Sequence, residues 1–170
     1  ILSQNELNSC VSGKWGNPHD FLGLHSLGAN KGFVARAIDP LAEEVFIINK
    51  ETQDAYLLLK IHPNGLFEGK IANATSSFPY VFRSLRNEVE VEWEDPYGFL
   101  PHIQNEDLAD FNQGIERRPF EKLGSFTAQK NGIDGVAFVL WAPSAQSVHV
   151  IGDFNQWNPI SLPMRSLGSS

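Results

Sequence analysis

Phe33-Val-Ala-Arg-Ala-Ile-Asp-Pro-Leu-Ala-Glu-Glu-Val-Phe-Ile-Ile-Asn49 holds two short runs rich in β-branched and aromatic residues, parted by the turn-forming Asp39-Pro40. Such runs favour a pleated, half-buried backbone, and a proline between them cannot donate to a ladder, so the pair reads as strand, turn, strand. The pattern continues outward. Further runs at 55–61, 66–71, 79–85 and 89–93 are separated by His62-Pro-Asn-Gly65 and Arg86-Asn87. Six short strands about ten residues apart predict an antiparallel β-sandwich of the immunoglobulin-like kind. Upstream, Leu2, Leu7 and Val11 fall at helical spacing, with Ser3 or Asn5 as N-cap and Gly13 as a stop, which predicts a short amphipathic helix.

Downstream of Pro96 the composition changes. Residues 107–111 predict a brief helix ended by Gly114, and strands return at 136–141 and 147–151. An internal repeat supports a boundary in this region. Asn17-Pro-His-Asp-Phe-Leu-Gly23 aligns with Arg118-Pro-Phe-Glu-Lys-Leu-Gly124, sharing the Pro, the acid, the Leu and the Gly. Gly32-Phe-Val-Ala-Arg-Ala-Ile-Asp-Pro40 then aligns with Gly135-Val-Ala-Phe-Val-Leu-Trp-Ala-Pro143. The same Gly and Pro punctuation sets the same turn geometry twice, so the expected organisation is two related sandwich modules. The expected domains are an N-terminal β-sandwich over 1–97, a linker with a short helix over 98–117, and a partial second β-sandwich over 118–170. The start at Ile1 and the end at Leu167-Gly-Ser-Ser170 suggest a fragment of a longer protein.

Thirteen Lys and Arg against twenty Asp and Glu give 170 residues a net charge of −7. That balance repels nucleic acid and anionic membrane surfaces, whose partners bind them largely through Lys and Arg. Neither is expected as a partner. No apolar run of about 20 residues suggests a membrane span, and no export signal is visible. Cys10 is the single cysteine. It can form neither an internal disulfide nor a thiolate cage, and a reducing, cytoplasmic location is the simplest expectation.

Five histidines, at 19, 25, 62, 102 and 149, show no metal-ligand spacing, so neither metal nor cofactor is expected. There is no Gly-x-Gly-x-x-Gly, phosphate loop or Gly-x-Ser-x-Gly elbow. Acids occur at Glu43-Glu44, at Asp107 with Asp110, and along Glu88-Val-Glu-Val-Glu-Trp-Glu-Asp95. None stands in an apolar context that would raise a pKa, as paired glycosidic carboxylates require, and the last run reads as a strand with one solvated face. No catalytic residue is expected in the chain. Asn73-Ala-Thr75 matches a glycosylation acceptor and reads as a chance loop tripeptide.

The remaining signal is aromatic. Val148-His-Val-Ile-Gly-Asp-Phe-Asn-Gln-Trp-Asn-Pro159 ends in an Asn-rich turn that presents a tryptophan. A flat indole beside amide groups suits a sugar ring, whose apolar C–H face is bordered by hydroxyls. An equal alternative has Trp157 plugging the end of the sandwich.

Six motifs occur together and in order: Asn17-Pro-His-Asp-Phe-Leu-Gly-Leu-His25, Ile61-His-Pro-Asn-Gly-Leu-Phe-Glu-Gly69, Glu94-Asp-Pro-Tyr97, Arg118-Pro-Phe-Glu-Lys-Leu-Gly124, Trp141-Ala-Pro143 and Gly152-Asp-Phe-Asn-Gln-Trp157. With them the chain resembles the N-terminal region of bacterial 1,4-α-glucan (glycogen) branching enzymes, ahead of the catalytic barrel. The resemblance implies two β-sandwich modules, the second of carbohydrate-binding module family 48, and an α-glucan partner such as glycogen or a malto-oligosaccharide. It also implies a parent of glycoside hydrolase family 13 that moves α-1,4 chains to a 6-hydroxyl, with its carboxylates in the barrel. Trp157 is then the implied stacking residue, with Asn155 and Asn158 at the sugar edge. The implied role is assistance in glucan binding and chain-length selection. The rival expectation is a structural spacer with no sugar binding of its own.

Overall fold

The computed structural model describes residues 3–158 and 160–167, so the expectations on Leu2 and on residues 168–170 lie outside the described residues. The chain divides into two compact units, Ile1–Gly98 and Phe99–Ser170.

The first unit opens with helix α1 (Gln4–Val11). Ser3 caps it through a reciprocal pair: Glu6 N–H donates to Ser3 Oγ, and Ser3 N–H donates to the Glu6 carboxylate at 2.7 Å. Gly13 leaves the helix at φ +68°, a conformation that costs glycine nothing. Seven antiparallel strands follow: β1 (Gly23–Ser26), β2 (Phe33–Ile38), β3 (Glu44–Asn49), β4 (Ala55–His62), β5 (Leu66–Ile71), β6 (Tyr80–Arg86) and β7 (Val89–Trp93). Their order, β1-β2-β5-β4-β3-β6-β7, is the seven-strand immunoglobulin arrangement, with β1-β2-β5-β4 on one side and β3-β6-β7 on the other. Strand β4 joins the two. It pairs with β3 over Ala55 to Leu58 and with β5 from Leu59, and the register shifts between Lys60 and His62.

Strand alternation sends Ala35, Ala37, Val45, Ile47, Leu58, Phe67, Ile71 and Phe82 into one core. A second cluster, Cys10, Val11, Phe21, Leu22 and Leu66, seats α1 on one end of it. His62 ties the same two parts: its Nδ1 accepts from Asn64 N–H at 3.1 Å, so Nε2 carries the proton and donates to Asn8 Oδ1 at 2.9 Å. Gly65 in that turn has φ +82°, and a Cβ there would lie 2.3 Å from the Asp39 carbonyl oxygen, so only glycine fits. Buried Asp39 in turn holds Arg86 at 2.8 Å.

Strand β1 escapes the sequence pattern because it is four residues long and begins at a glycine, too short to show alternation. The strand expected at 79–85 runs one residue later.

The second unit contains a 3-10 turn (Glu106–Leu108), helix α2 (Ala109–Asn112) ended by Gly114 at φ +72°, and the hairpin β8 (Gly124–Lys130) with β9 (Ile133–Val139). Asn131 and Gly132, at φ +53° and +77°, make the two-residue hairpin turn whose twist matches the strands. Two expectations are corrected here. The strand placed at 136–141 starts earlier and stops at Val139, leaving Trp141 beyond it. The strand placed at 147–151 is reduced to a bridge from His149 to Pro163, flanked by Val150 N–H to Leu162 O at 2.9 Å and Met164 N–H to Val148 O at 2.8 Å. Pro163 has no N–H to donate, which limits extension of the ladder.

The repeat is visible in the backbone. Residues Pro18–Asp20 and Pro119–Glu121 both form 3-10 turns, entered by Asn17 at φ −139° and Arg118 at φ −132°. Leu22 N–H bonds to Pro18 O and Leu123 N–H to Pro119 O, each at 2.8 Å. Both copies leave through a positive-φ glycine, Gly23 or Gly124, into the first strand of an antiparallel pair.

Candidate functional site

The loop after the His149 bridge is built around Asn155. Its side-chain NH₂ donates to Val150 O at 3.0 Å, Asn158 O at 3.1 Å and Ser161 Oγ at 3.0 Å, and its Oδ1 accepts from Gly152 N–H at 2.9 Å. These bonds close the loop on itself and take up both amide hydrogens, so Asn155 is its scaffold. The 3-10 turn Asp153–Asn155 leads into Gln156 and Trp157, at φ +55° and +56°. Two successive L-residues in the left-handed region are uncommon, and they swing the Trp157 side chain outward.

Trp157 is 61% exposed, unusual for an indole in a folded segment. It does not plug a core. Its Nε1–H donates to Asp153 Oδ1 at 2.8 Å. Asn158, also exposed, accepts from Ile160 N–H with its Oδ1 at 3.0 Å, which fixes the orientation of its amide. The result is an open aromatic surface with an amide and a carboxylate on the same short loop. It can bury an apolar face and bond to hydroxyls at the edge. Asp153 is the one acid between Val150 and Ser161.

The other acids have different tasks. Arg83 Nη2 holds Glu92 at 2.6 Å, Lys50 holds Glu94 at 2.7 Å, and Asp107 accepts from Gln104 N–H at 2.8 Å. Asp95 is the exception to the expectation that no carboxylate stands in an apolar context. It is 3% exposed, and burial pushes its pKa up to about 6 against the opposing hydrogen bonds from Tyr80 OH at 2.5 Å and Tyr97 N–H at 3.0 Å. Residues 89, 91, 93 and 95 share one strand face, and that phase places Asp95 inward. Both its oxygens serve to fasten the end of the sheet. Burial likewise pushes the Cys10 thiol up to about 11, keeping it protonated and unreactive.

The histidines are packed or bonded within their own units: His25 Nε2 to Leu22 O at 2.7 Å, His19 edge-on to Tyr97, and His102 stacked on Phe126. Among the described residues no three His, Cys, Asp or Glu side chains converge as a metal site, and no helix is long and apolar enough to cross a membrane.

Comparison with known proteins bears on both units. Residues 3–97 match the family described as the alpha-1,4-glucan branching enzyme GlgB N-terminal domain. Residues 122–170 match carbohydrate-binding module 48 (isoamylase N-terminal domain). The 1,4-alpha-glucan branching enzyme GlgB of Synechococcus sp. (strain JA-2-3B'a(2-13)) is 36% identical over 181 residues, covering 100% of this chain and 24% of that protein. That of Rhodopseudomonas palustris (strain BisB5) is 36% identical over 165 residues, covering 97% of this chain and 22% of that protein. The chain thus spans about a quarter of the length of the curated relatives it matches. Among solved structures, a D470A pullulanase of Paenibacillus barengoltzii complexed with maltotetraose is a remote likeness, with a TM-score of 0.40 and 19% identity over 71% of this chain and 21% of that one. The two-unit antiparallel fold, the ordered motifs and the match over residues 3–97 agree: this chain belongs to the family of the alpha-1,4-glucan branching enzyme GlgB N-terminal domain.

Proposed function

We propose that this chain is the non-catalytic N-terminal part of a cytoplasmic branching enzyme of glycogen biosynthesis, and that its second unit holds an α-glucan for a catalytic barrel elsewhere in the parent. The parent transfers α-1,4 chains to 6-hydroxyls, and the held strand biases which chain length reaches the barrel. The domain roles follow: residues 1–97 as the scaffold module, 98–117 as linker, and 118–170 as the sugar-binding module.

The observation that carries this reading is Trp157, an indole left open to solvent and tied at its nitrogen while the loop beneath it is fully hydrogen-bonded. In the bound state Trp157 stacks on a glucose ring and the Asn158 amide meets the hydroxyl edge, while Asn155 keeps the loop closed. The spacer reading suits the first unit, where Trp15 stacks on Phe21 at 5.6 Å and Trp93 Nε1–H donates to Ser84 Oγ at 2.9 Å. Both indoles there are engaged internally.

Titration with maltoheptaose, followed by tryptophan fluorescence, tests the binding. The expected result is a saturable change at millimolar sugar that disappears in Trp157→Ala. An identical change in that variant, or none in the wild type, overturns the reading. Iodine staining of amylose incubated with the chain is expected to show no loss of colour; a loss would contradict the non-catalytic role.

A further inference from the structure

An exposed aromatic ring has rotamers to choose from, and a sugar that must select one of them binds more weakly than a sugar meeting a ring already in place. Trp157 is 61% exposed, so most of its surface is open to solvent. Among the described residues its side chain makes one hydrogen bond, from Nε1–H to Asp153 Oδ1, 2.8 Å long and spanning four residues. Both ends of that bond sit on one closed loop. Gln156 N–H bonds to Asp153 O at 3.2 Å, Trp157 N–H bonds to Gly152 O at 2.9 Å, and the Asn155 side chain caps Gly152 N–H. The acceptor and the backbone that carries the indole therefore move together.

We propose that Asp153 is the positioning residue of this site: it fixes the Trp157 ring by accepting its Nε1–H, so that the ligand meets the ring's face and not its N–H edge. This rests on the reading that Trp157 contacts an α-glucan. It sharpens what the site recognises. With the indole N–H turned into the loop, the ring supplies only an apolar surface, and hydroxyl contacts come from the amide of Asn158 and from the backbone. The site then favours a sugar face of C–H groups over a ligand that needs a hydrogen bond from the indole, and it asks for no charge on the ligand.

The test is a double-variant cycle on the 170-residue chain with maltoheptaose as probe, alongside the indole N–H resonance of Trp157. Asp153→Ala is expected to weaken binding about three- to tenfold, the worth of one solvent-exposed hydrogen bond, and to shift that resonance upfield. Asp153→Asn keeps an acceptor oxygen and is expected to bind within about twofold of wild type. Trp157→Phe has no N–H, so adding Asp153→Ala to it is expected to change nothing further. If Asp153→Ala binds like wild type while Trp157→Ala does not bind, the positioning role is overturned and the site stands. Equal weakening by Asp153→Ala with and without Trp157→Phe also overturns it, because Asp153 would then touch sugar directly or merely hold the loop. If Trp157→Ala binds like wild type, the glucan reading itself is overturned along with it.

Discussion

The turns at Pro18–Asp20 and Pro119–Glu121 are the same backbone object in two settings. In the first unit the turn is interior: His19 is 9% exposed and Leu22 1%, covered by α1 and by Tyr97. In the second unit the position matching His19 is Phe120, which is 67% exposed, and Lys122 stands where buried Phe21 does. Every fully buried apolar side chain among the described residues lies in the first unit, between Cys10 and Phe82. Turn geometry is thus local, set by Pro, Gly and a few backbone bonds, whereas burial depends on what else packs there. One unit uses its aromatic residues as a core, and the other leaves aromatic residues at its surface, where a ligand can meet them.

Large-to-small changes should separate the two units most strongly. Phe82→Ala removes a fully buried ring and is expected to cost the first unit about 3–5 kcal/mol in urea unfolding. Labelling of Cys10 is a suitable probe, because the thiol is buried in that unit and the second unit has no cysteine. A cost below about 1 kcal/mol would show that the core is not where the contacts place it.

Asp95 should give the first unit a pH signature. Its folded pKa of about 6 lies above the ordinary value of 3.8, so the native state holds the extra proton between those values. The contribution is fully present below about pH 4 and is lost as pH rises through 6. Relative to Asp95→Asn, wild-type stability is expected to rise by about 2–3 kcal/mol from pH 7 to pH 4. A flat difference across that range would mean that Asp95 is solvated.

Smaller effects should follow the same division. Ser3→Ala removes the cap of α1 and is expected to cost about 1 kcal/mol, read as faster amide exchange in the helix. Phe120→Ala, at the exposed copy of the turn, is expected to stay within about 0.5 kcal/mol of wild type in thermal unfolding. A cost as large as that of Phe82→Ala would erase the contrast between the turns.

Much of this is readable from residues alone. Ser3 with Glu6 announces α1, and Val, Ile and Phe runs announce β2 to β7, because capping chemistry and pleated burial are local preferences. Strand β8, Gly-Ser-Phe-Thr-Ala-Gln-Lys, is too mixed to stand out, although Asn131-Gly132 marks its hairpin. Asp95 could have been found by carrying the alternation of Val89, Val91 and Trp93 one step further. Trp157 is visible as an aromatic in a turn, but its link to Asp153 is not. That link requires Gln156 and Trp157 to take left-handed backbone angles, which no glycine or proline there signals.

The most direct measurement is an amide and indole NMR titration of the whole chain with maltoheptaose. Shifts are expected to centre on Gly152 to Ser161, led by the Trp157 indole, with residues 3–97 unmoved. Shifts concentrated in residues 3–97, or a Trp157 resonance that does not move while sugar binds, would contradict it.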